Sequence, residues 1–164
     1  MIPPAIVPYD PARHGDGPWR VVSTVFAEYG FPFAENDYDA DLRDIAAHYD
    51  GARGAFAVAE DGSGRVAGCV GWTDEAGGEF ELHRLYVLAD ARRGGTGRRL
   101  VQWVMDDVVA RGARRIVLFS DIAFVDAHRL YLRMGFRCNR FRYAPDPWQS
   151  REWGFVLDLP RPGQ

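Results

Sequence analysis

A short run of glycine and arginine, "RRGGTGRR" at 92–99, joins an apolar, strand-like segment to an amphipathic helix. The strand-like segment is "EFELHRLYV" at 79–87, and apolar residues at helical spacing follow from Leu100 to Val108. A second short apolar strand, "RRIVLFSD", comes next. Two strands joined through one helix run parallel with a right-handed crossover, so the unit at 80–119 constrains the fold more than any other part of the chain.

The remaining pattern predicts antiparallel strands and further helices around this unit. Alternation and turn residues predict a hairpin from "GAFAVAED" and "RVAGCVGWTD", which continues into the strand at 79–87 as a meander. Two helical patterns, within 15–30 and 37–51, precede it, and the helix "FVDAHRLYLRMG" and two closing strands follow. The predicted order is β-α-α-β-β-β-α-β-α-β-β. It describes one domain over 1–164, a mixed α/β (α+β) fold whose mostly antiparallel seven-stranded sheet carries about four helices on both faces.

Composition excludes several classes of function. The chain has 164 residues and is 47% hydrophobic and 26% charged, values typical of a globular domain. A net charge of -3 argues against nucleic acid as a main partner. No apolar stretch approaches the length of a membrane span, so we expect a cytoplasmic protein without a membrane partner. All 20 basic residues are arginine, which excludes catalysis by a lysine of this chain.

Cysteine and histidine give no sign of a metal or disulfide framework. Cys69 and Cys138 lie in apolar strand-like runs without C-x-x-C spacing, which predicts two buried thiols in a reducing compartment. The four histidines are scattered and lack metal-ligand spacing, so no metal is expected.

The glycine-rich turn is suited to binding an anion. It lies at a helix N-terminus, where free N–H groups and the helix dipole favour negative charge. Gly94, Gly95 and Gly97 remove Cβ atoms that would block close approach, and arginines flank them. The spacing R-x-x-G-x-G matches neither a P-loop nor a dinucleotide fingerprint. The pattern predicts a nest for a pyrophosphate, although a plain turn with a solvated basic face has the same composition.

Together with "ELHRLYV" before it and "AHRLYLRMGF" after it, this turn resembles the GNAT superfamily of acyl-CoA-dependent N-acetyltransferases. The second motif is A-x-x-x-Y-x-x-x-G-F, at Ala127, Tyr131, Gly135 and Phe136. The resemblance covers the chain in element order and is specific over 79–136. It implies acetyl-CoA as co-substrate and a V-shaped split between the fourth and fifth strands that receives pantetheine. A phosphate binder unrelated to CoA would leave the second motif unexplained.

The resemblance also implies cofactor-binding residues. Backbone groups of Leu85, Tyr86 and Val87 would pair with pantetheine, and a bulge there often frees an N–H for the thioester carbonyl. The pyrophosphate would lie against the turn residues Arg92, Arg93, Gly94, Gly95, Thr96, Gly97 and Arg98. Many relatives carry an asparagine seven residues before the tyrosine. Phe124 stands there in this chain, so that pantetheine contact is missing or is replaced by Ser120 or Asp121.

The resemblance implies Tyr131 as the acid that protonates the leaving thiolate, with a packing role as the alternative. Glu81 stands where several relatives carry a catalytic glutamate and is the candidate base, with His83 as its competitor. Strand alternation places Glu81 on the face of His83 and Leu85, opposite Leu82 and Arg84. Alternation leaves open which of these faces lines the cleft.

The acceptor site implied by the resemblance comes from about 18–50 and 137–159, together with the strand residues Trp72 and His83. Its candidate substrate-binding residues are Tyr29, Phe31, Phe33, Trp72 and His83, and acidic residues accompany them. A small primary amine would suit aromatic and acidic groups, whereas Arg140, Arg142 and Arg151 could instead receive a carboxylate.

The sequence leaves three alternatives open, which concern catalysis, the kind of acceptor and the oligomeric state. A catalytically silent CoA-binding or regulatory domain would keep the glycine turn without a productive base. An enzyme acting on a protein N-terminus or side chain would need an open groove. The resemblance also allows a homodimer.

Overall fold

In a computed structural model, which describes residues 2–161 and 163, seven strands form one sheet in the order β1-β2-β3-β4-β5-β7-β6. The strands are β1 (Ala5–Pro8), β2 (Gly54–Glu60), β3 (Val66–Asp74), β4 (Glu79–Val87), β5 (Arg115–Asp121), β6 (Arg137–Tyr143) and β7 (Arg151–Asp158). The helices are α1 (Pro11–His14), α2 (Gly17–Glu28), α3 (Ile45–His48), α4 (Thr96–Ala110) and α5 (Val125–Arg133). Short 3₁₀ turns occupy Ala40–Arg43 and Ala89–Ala91.

The sheet has the predicted topology. β4 and β5 pair in parallel, and α4 forms the crossover between them. Every other neighbouring pair of strands is antiparallel. The predicted mixed fold with a mostly antiparallel seven-stranded sheet is therefore confirmed.

Two helical details differ from the prediction. The single helix expected near residues 37–51 is divided into the 3₁₀ turn Ala40–Arg43 and the short helix α3. Asp44 separates them because its backbone is not helical and its side chain accepts a hydrogen bond from the N–H of Ala47. The unpredicted helix α1 starts in the same way, since Asp10 caps the N–H of Ala12.

Helices cover both faces of the sheet. On one face, α4 buries Leu100, Val101, Val104 and Val108 against β2, β3 and β4, and α5 joins this core through Tyr131. On the other face, α2 and the segment around α3 pack against β2, β3 and β4. Burial of these apolar side chains is the main term that stabilises the fold.

A bulge reverses the alternation of β4 halfway along its length. His83 pairs with Gly71 and Tyr86 pairs with Cys69, so two residues of β4 oppose a single residue of β3. Arg84 lies in this bulge with φ at 55°. Leu85 consequently packs on the α4 face, and the predicted grouping of Leu85 with Glu81 is wrong.

The bulge also moves Arg84 to the face on which Glu81 lies. Its guanidinium reaches Asp39 and Asp41, which precede α3 on the α2 face of the sheet. Strand alternation placed Arg84 opposite Glu81, and that prediction is wrong for the same reason: one additional residue shifts every later side chain of the strand.

The cysteines differ in exposure. Cys69 is buried in β3, as predicted, whereas Cys138 is exposed. Cys138 lies on β6, the strand at the edge of the sheet, and most side chains of that strand are open to solvent. The prediction of a buried Cys138 is therefore wrong. Within the described residues, no helix is both long and apolar enough to cross a membrane.

Candidate active site

β4 and β5 separate after three paired residues, and the gap between them opens into a cleft. The last pair is Glu81 with Val117, yet β4 continues to Val87 and β5 to Asp121. The cleft has a volume of about 1300 Å³ and is lined by β4 from Glu81 to Val87, by the start of α4 and by α5. The predicted split is thus present, with Glu81 at its vertex.

The glycine turn forms one end of the cleft. Gly95 is the N-cap of α4 and has a left-handed backbone with φ at 77°, a conformation that glycine adopts without strain. Among the residues that the structure describes, no side chain caps the helix, so the first-turn N–H groups stay without an intrahelical acceptor. Gly97 allows close packing of α4 on α5, since a Cβ there would lie only 3.3 Å from the side chain of Leu130.

Thr96 supplies a further observation about this end of the cleft. Thr96 is one of the residues that line the cleft, its side chain is buried, and Oγ1 has no hydrogen-bond partner among the described residues. A buried hydroxyl without a partner is costly, because it loses its bonds to water. A phosphate oxygen would satisfy both this hydroxyl and the free N–H groups, so the residues present fit a pyrophosphate.

The arginines of the turn have different roles. Arg93 and Arg98 line the cleft, together with Arg129 and Arg133 of α5, two residues that no sequence motif predicted. Arg92 lines the cleft too, but its guanidinium is bound to Glu28 at 2.6 Å and 2.9 Å and to the carbonyl oxygen of Val87 at 2.9 Å. It therefore fastens the turn to α2. Gly94 lies outside the lining.

Tyr131 lies on the buried side of α5 and lines the cleft. Its ring packs against Phe136 and Phe155, with centroids 5.7 Å and 5.4 Å away. Burial raises the pKa of the phenol, so Tyr131 keeps its proton at neutral pH. The side chain can therefore act as a proton donor.

Glu81 and His83 both face the cleft, and their environments shift their pKa values in opposite directions. Burial raises the pKa of Glu81 to about 7, and the charge of Glu75 adds to this shift. Burial lowers the pKa of His83 to about 4, with the positive charge of Arg84 acting in the same direction. The carboxylate of Glu81 is thus the better proton acceptor near pH 7.

Glu75, Glu81 and His83 could also offer three ligand atoms to a metal, since these atoms lie within 4.8 Å of one another. The hydroxyl of Thr73 contacts Glu75 Oε1 at 2.7 Å and His83 Nε2 at 2.8 Å. This hydroxyl links two of the three side chains without an ion, and such acidic groups are common on protein surfaces.

Aromatic rings cover the middle of the cleft. Phe124 packs edge-on against Tyr29, Phe31 and Tyr86, with centroid distances between 4.8 Å and 5.7 Å, and all four residues line the cleft. The position at which many relatives carry an asparagine is thus occupied by part of an apolar wall. Ser120 and Asp121, the predicted replacements, line the cleft nearby.

Two predicted substrate contacts lie elsewhere. Trp72 is fully buried on the α4 face, where its indole N–H donates to Asp107 Oδ2 at 2.8 Å. Phe33 packs against Trp19 and Phe26 in the core beside α2. Neither residue lines the cleft, because strand alternation turns Trp72 away and the ring of Phe33 packs on those of Trp19 and Phe26.

Several side chains at the acceptor end of the cleft were not selected from the sequence. They are Tyr38, Asp39, Asp41, His48, Asp146 and Glu152, and they lie beside Asp37, Arg142 and Trp148, which the sequence had offered as candidates. Arg142 donates to Glu152 Oε1 at 2.8 Å, and Arg140 and Arg151 lie outside the lining. Only the acidic and aromatic composition of these loops could have pointed to them, since no local spacing pattern unites the set.

Comparison with known proteins supports the family resemblance that the sequence motifs indicated. A model of the acetyltransferase (GNAT) family matches residues 19–136. An IAA acetyltransferase from Azospirillum brasilense is 35% identical over 88 residues, which are 52% of this chain. That match spans 58% of the relative's own length, so the chain covers little more than half of it.

Solved structures share the whole fold at low identity. An acetyltransferase of the GNAT family from Staphylococcus aureus superposes with a TM-score of 0.82 at 19% identity, covering 95% of this chain and 99% of that one. An aminoglycoside 6'-N-acetyltransferase complexed with coenzyme A has a TM-score of 0.71 at 18% identity and covers 99% of both chains.

Proposed function

Because the chain belongs to the acetyltransferase (GNAT) family, we propose that it transfers an acetyl group from acetyl-CoA directly to a primary amine of a small molecule. One observation carries this proposal. A single cleft contains an open strand edge, an anion nest at its basic end and a carboxylate with a pKa of about 7 at its vertex. A binding domain without catalysis would have no need of the third feature.

The basic end of the cleft would hold acetyl-CoA. The N–H groups at the start of α4 and the hydroxyl of Thr96 would bind the pyrophosphate, with Arg93 and Arg98 adding positive charge. The open edge of β4 at 85–87 would pair with the pantetheine amides as a further strand would. When bound, acetyl-CoA supplies a thioester whose acetyl carbon is open to attack by an amine.

Two side chains would move the protons. The ammonium group of the acceptor must lose a proton before its nitrogen can attack, and the carboxylate of Glu81 would accept that proton directly or through a water. The phenol of Tyr131 would donate its proton to the thiolate that leaves, since burial keeps this phenol protonated at neutral pH and therefore available as a donor. Backbone N–H groups of the β4 bulge would stabilise the charge that develops on the carbonyl oxygen.

Charge at the acceptor end favours an amine over a carboxylate as the substrate group. Arg142 is bound to Glu152, and Arg84 is bound to Asp39 and Asp41, so both arginines of this end are already neutralised. Among the described residues, Asp37 forms no salt bridge and lines the cleft. Because carboxylates exceed arginines here, a cationic acceptor would be attracted and an anionic one repelled.

The test begins with the cofactor. The purified chain would be titrated with acetyl-CoA, dephospho-CoA and pantetheine by calorimetry, and acetyl-CoA turnover would then be measured with a series of amines. We expect micromolar binding of acetyl-CoA that is lost with pantetheine, and turnover that favours a monoamine over the ω-amino acid of equal length. Absence of binding would refute the cofactor assignment. Binding without turnover on any amine would leave a catalytically silent CoA-binding domain.

A further inference from the structure

Arg84 occupies an unusual backbone position for an arginine. Its φ of 55° lies in the left-handed region, which costs a side chain with a Cβ about 1 kcal/mol or more in most contexts. Glycine would adopt this conformation without strain. Arginine therefore contributes something at this position that only its side chain can provide.

All three guanidinium nitrogens of Arg84 donate hydrogen bonds to groups of the protein. Nη1 donates to Asp39 Oδ1 at 2.7 Å, Nη2 donates to Asp41 Oδ1 at 2.6 Å, and Nε donates to Asp41 Oδ2 at 3.1 Å. The side chains of Arg84, Asp39 and Asp41 are 11%, 1% and 18% exposed. Ion pairs that are this buried and this well bonded hold their geometry tightly.

The carboxylates that bind Arg84 organise the acceptor loop, defined here as residues 34–41. Asp39 closes the loop through its second oxygen, which accepts from the N–H of Ala34 at 2.8 Å. Asp41 also accepts from the hydroxyl of Tyr49 at 3.2 Å. The loop brings Asp37 and Tyr38 to the wall of the cleft. Arg84 thus joins the loop to the strand at one point.

We propose that Arg84 is a positioning residue that sets the acceptor loop against the backbone of the β4 bulge. The bulge lies in the part of β4 that has separated from β5 and lines the cleft. One buried ion-pair cluster therefore determines both the place of the amine-facing loop and the direction of the N–H groups beside the reacting carbonyl. This inference rests on the proposed function, and Arg84 acts through other groups without touching the substrate.

The substitution Arg84→Gly isolates the side chain from the backbone. Glycine keeps the left-handed bulge and removes the link to Asp39 and Asp41. We expect kcat/KM for the amine to fall at least about 30-fold, and the Kd for acetyl-CoA, measured by calorimetry, to change less than about threefold, because misplacement of the reacting groups affects turnover far more than cofactor binding. Hydrogen exchange of the amides at 34–41 should also become faster.

Two further variants keep the test decisive if Arg84→Gly does not fold. Arg84→Lys retains the charge but lacks the fork that spans two carboxylates, so its kcat/KM should lie below that of the parent. Asp41→Asn should also lower kcat/KM, and combined with Arg84→Lys it should add less than its separate effect. Arg137→Gly is the matched control, since Arg137 forms an exposed ion pair with Asp158 on the far strands.

The outcomes separate the two proposals. An inactive parent protein would refute the proposed function, and unchanged hydrogen exchange at 34–41 in Arg84→Gly would then refute the link independently. An active parent whose Arg84→Gly variant keeps kcat/KM within about twofold would refute the positioning role alone. A parallel fall in cofactor affinity and turnover in Arg84→Lys would also refute it, because it would indicate general loss of structure.

Discussion

The two ends of the cleft are built by different means. The cofactor end, where we propose that acetyl-CoA binds, is formed largely by one continuous segment, and the groups that it presents are mainly backbone N–H groups at the start of α4. The acceptor end collects side chains from the loop before α3, from β4 and from the segment between β6 and β7. Arginines dominate the first end and carboxylates dominate the second. A site made of backbone depends on local conformation, whereas a site made of distant side chains depends on the whole fold.

The largest expected effect is at the boundary between the two ends, where Glu81 lies. Glu81→Gln removes the proton acceptor, and general base catalysis is worth about 10²–10⁴-fold in rate. We expect kcat/KM to fall by about 10³-fold. In the parent, kcat/KM should rise with pH through about 7, since the group must be ionised to act. Glu79→Gln is the control on the same strand, and an equal loss there would contradict the assignment.

The same variant should be more stable than the parent at high pH. Burial raises the pKa of Glu81 to about 7 from an ordinary value of 4.5, so the folded state favours the protonated form. The stability that this preference gives is complete below pH 4.5 and is lost as pH rises through about 7. We expect the difference in free energy of unfolding between Glu81→Gln and the parent to favour the variant by roughly 1–3 kcal/mol more at pH 8 than at pH 4. Thermal unfolding of both proteins at the two pH values measures this difference.

Tyr131→Phe tests the proton donor while keeping the packing of the ring. We expect kcat to fall by about 100-fold, because without a positioned acid the thiolate must depart without receiving a proton. The Kd for acetyl-CoA should stay within about twofold, as judged by calorimetry. The exposed Tyr143→Phe serves as the control. Full turnover of Tyr131→Phe across the pH range would leave Tyr131 with a packing role.

Gly95→Glu tests the backbone character of the cofactor end. A carboxylate at the N-cap would repel a phosphate, and its side chain would strain the left-handed backbone. We expect the Kd for acetyl-CoA to rise by about 30-fold or more, about 2 kcal/mol, in calorimetric titrations. Gly62→Glu is the control, because it introduces the same charge into the turn between β2 and β3, away from the cleft. Equal affinities in parent and Gly95→Glu would refute the nest.

The smallest effect should come from a single carboxylate of the acceptor end. Asp37→Asn removes one charge from a partly solvated wall, where such interactions are worth about 1 kcal/mol or less. We expect the KM for a cationic amine to rise about threefold to fivefold, and the increase should shrink at high salt. The exposed Asp106→Asn on α4 is the control. A lower KM in Asp37→Asn would contradict the electrostatic account of the acceptor end.

The contrast between the two ends also explains what the sequence could predict. The turn at 92–98 and the parallel unit around it could be predicted from the sequence because strand, glycine and helix signals follow one another along the chain. Tyr131 and Glu81 were located by resemblance, and both line the cleft. These predictions required only local conformation and the order of elements.

Fewer features of the acceptor end could be predicted from the sequence. A one-residue bulge reversed the faces of β4, and it moved Arg84 to the acceptor face and Leu85 away from it. Trp72 was assigned to the acceptor site from the resemblance, but its position in β3 directs it into the core. Asp39 and Asp41 gain their partner only through a contact with a residue more than 40 positions away. No local pattern records such a contact.

The separation of β4 from β5 has a consequence for handling the protein. The edge of β4 at 82–87 carries backbone groups without a strand on the β5 side, and such an edge can accept a strand from another chain. A ligand that pairs with this edge, as we propose for acetyl-CoA, would cover it, so addition of CoA during purification and storage should reduce self-association through this gap.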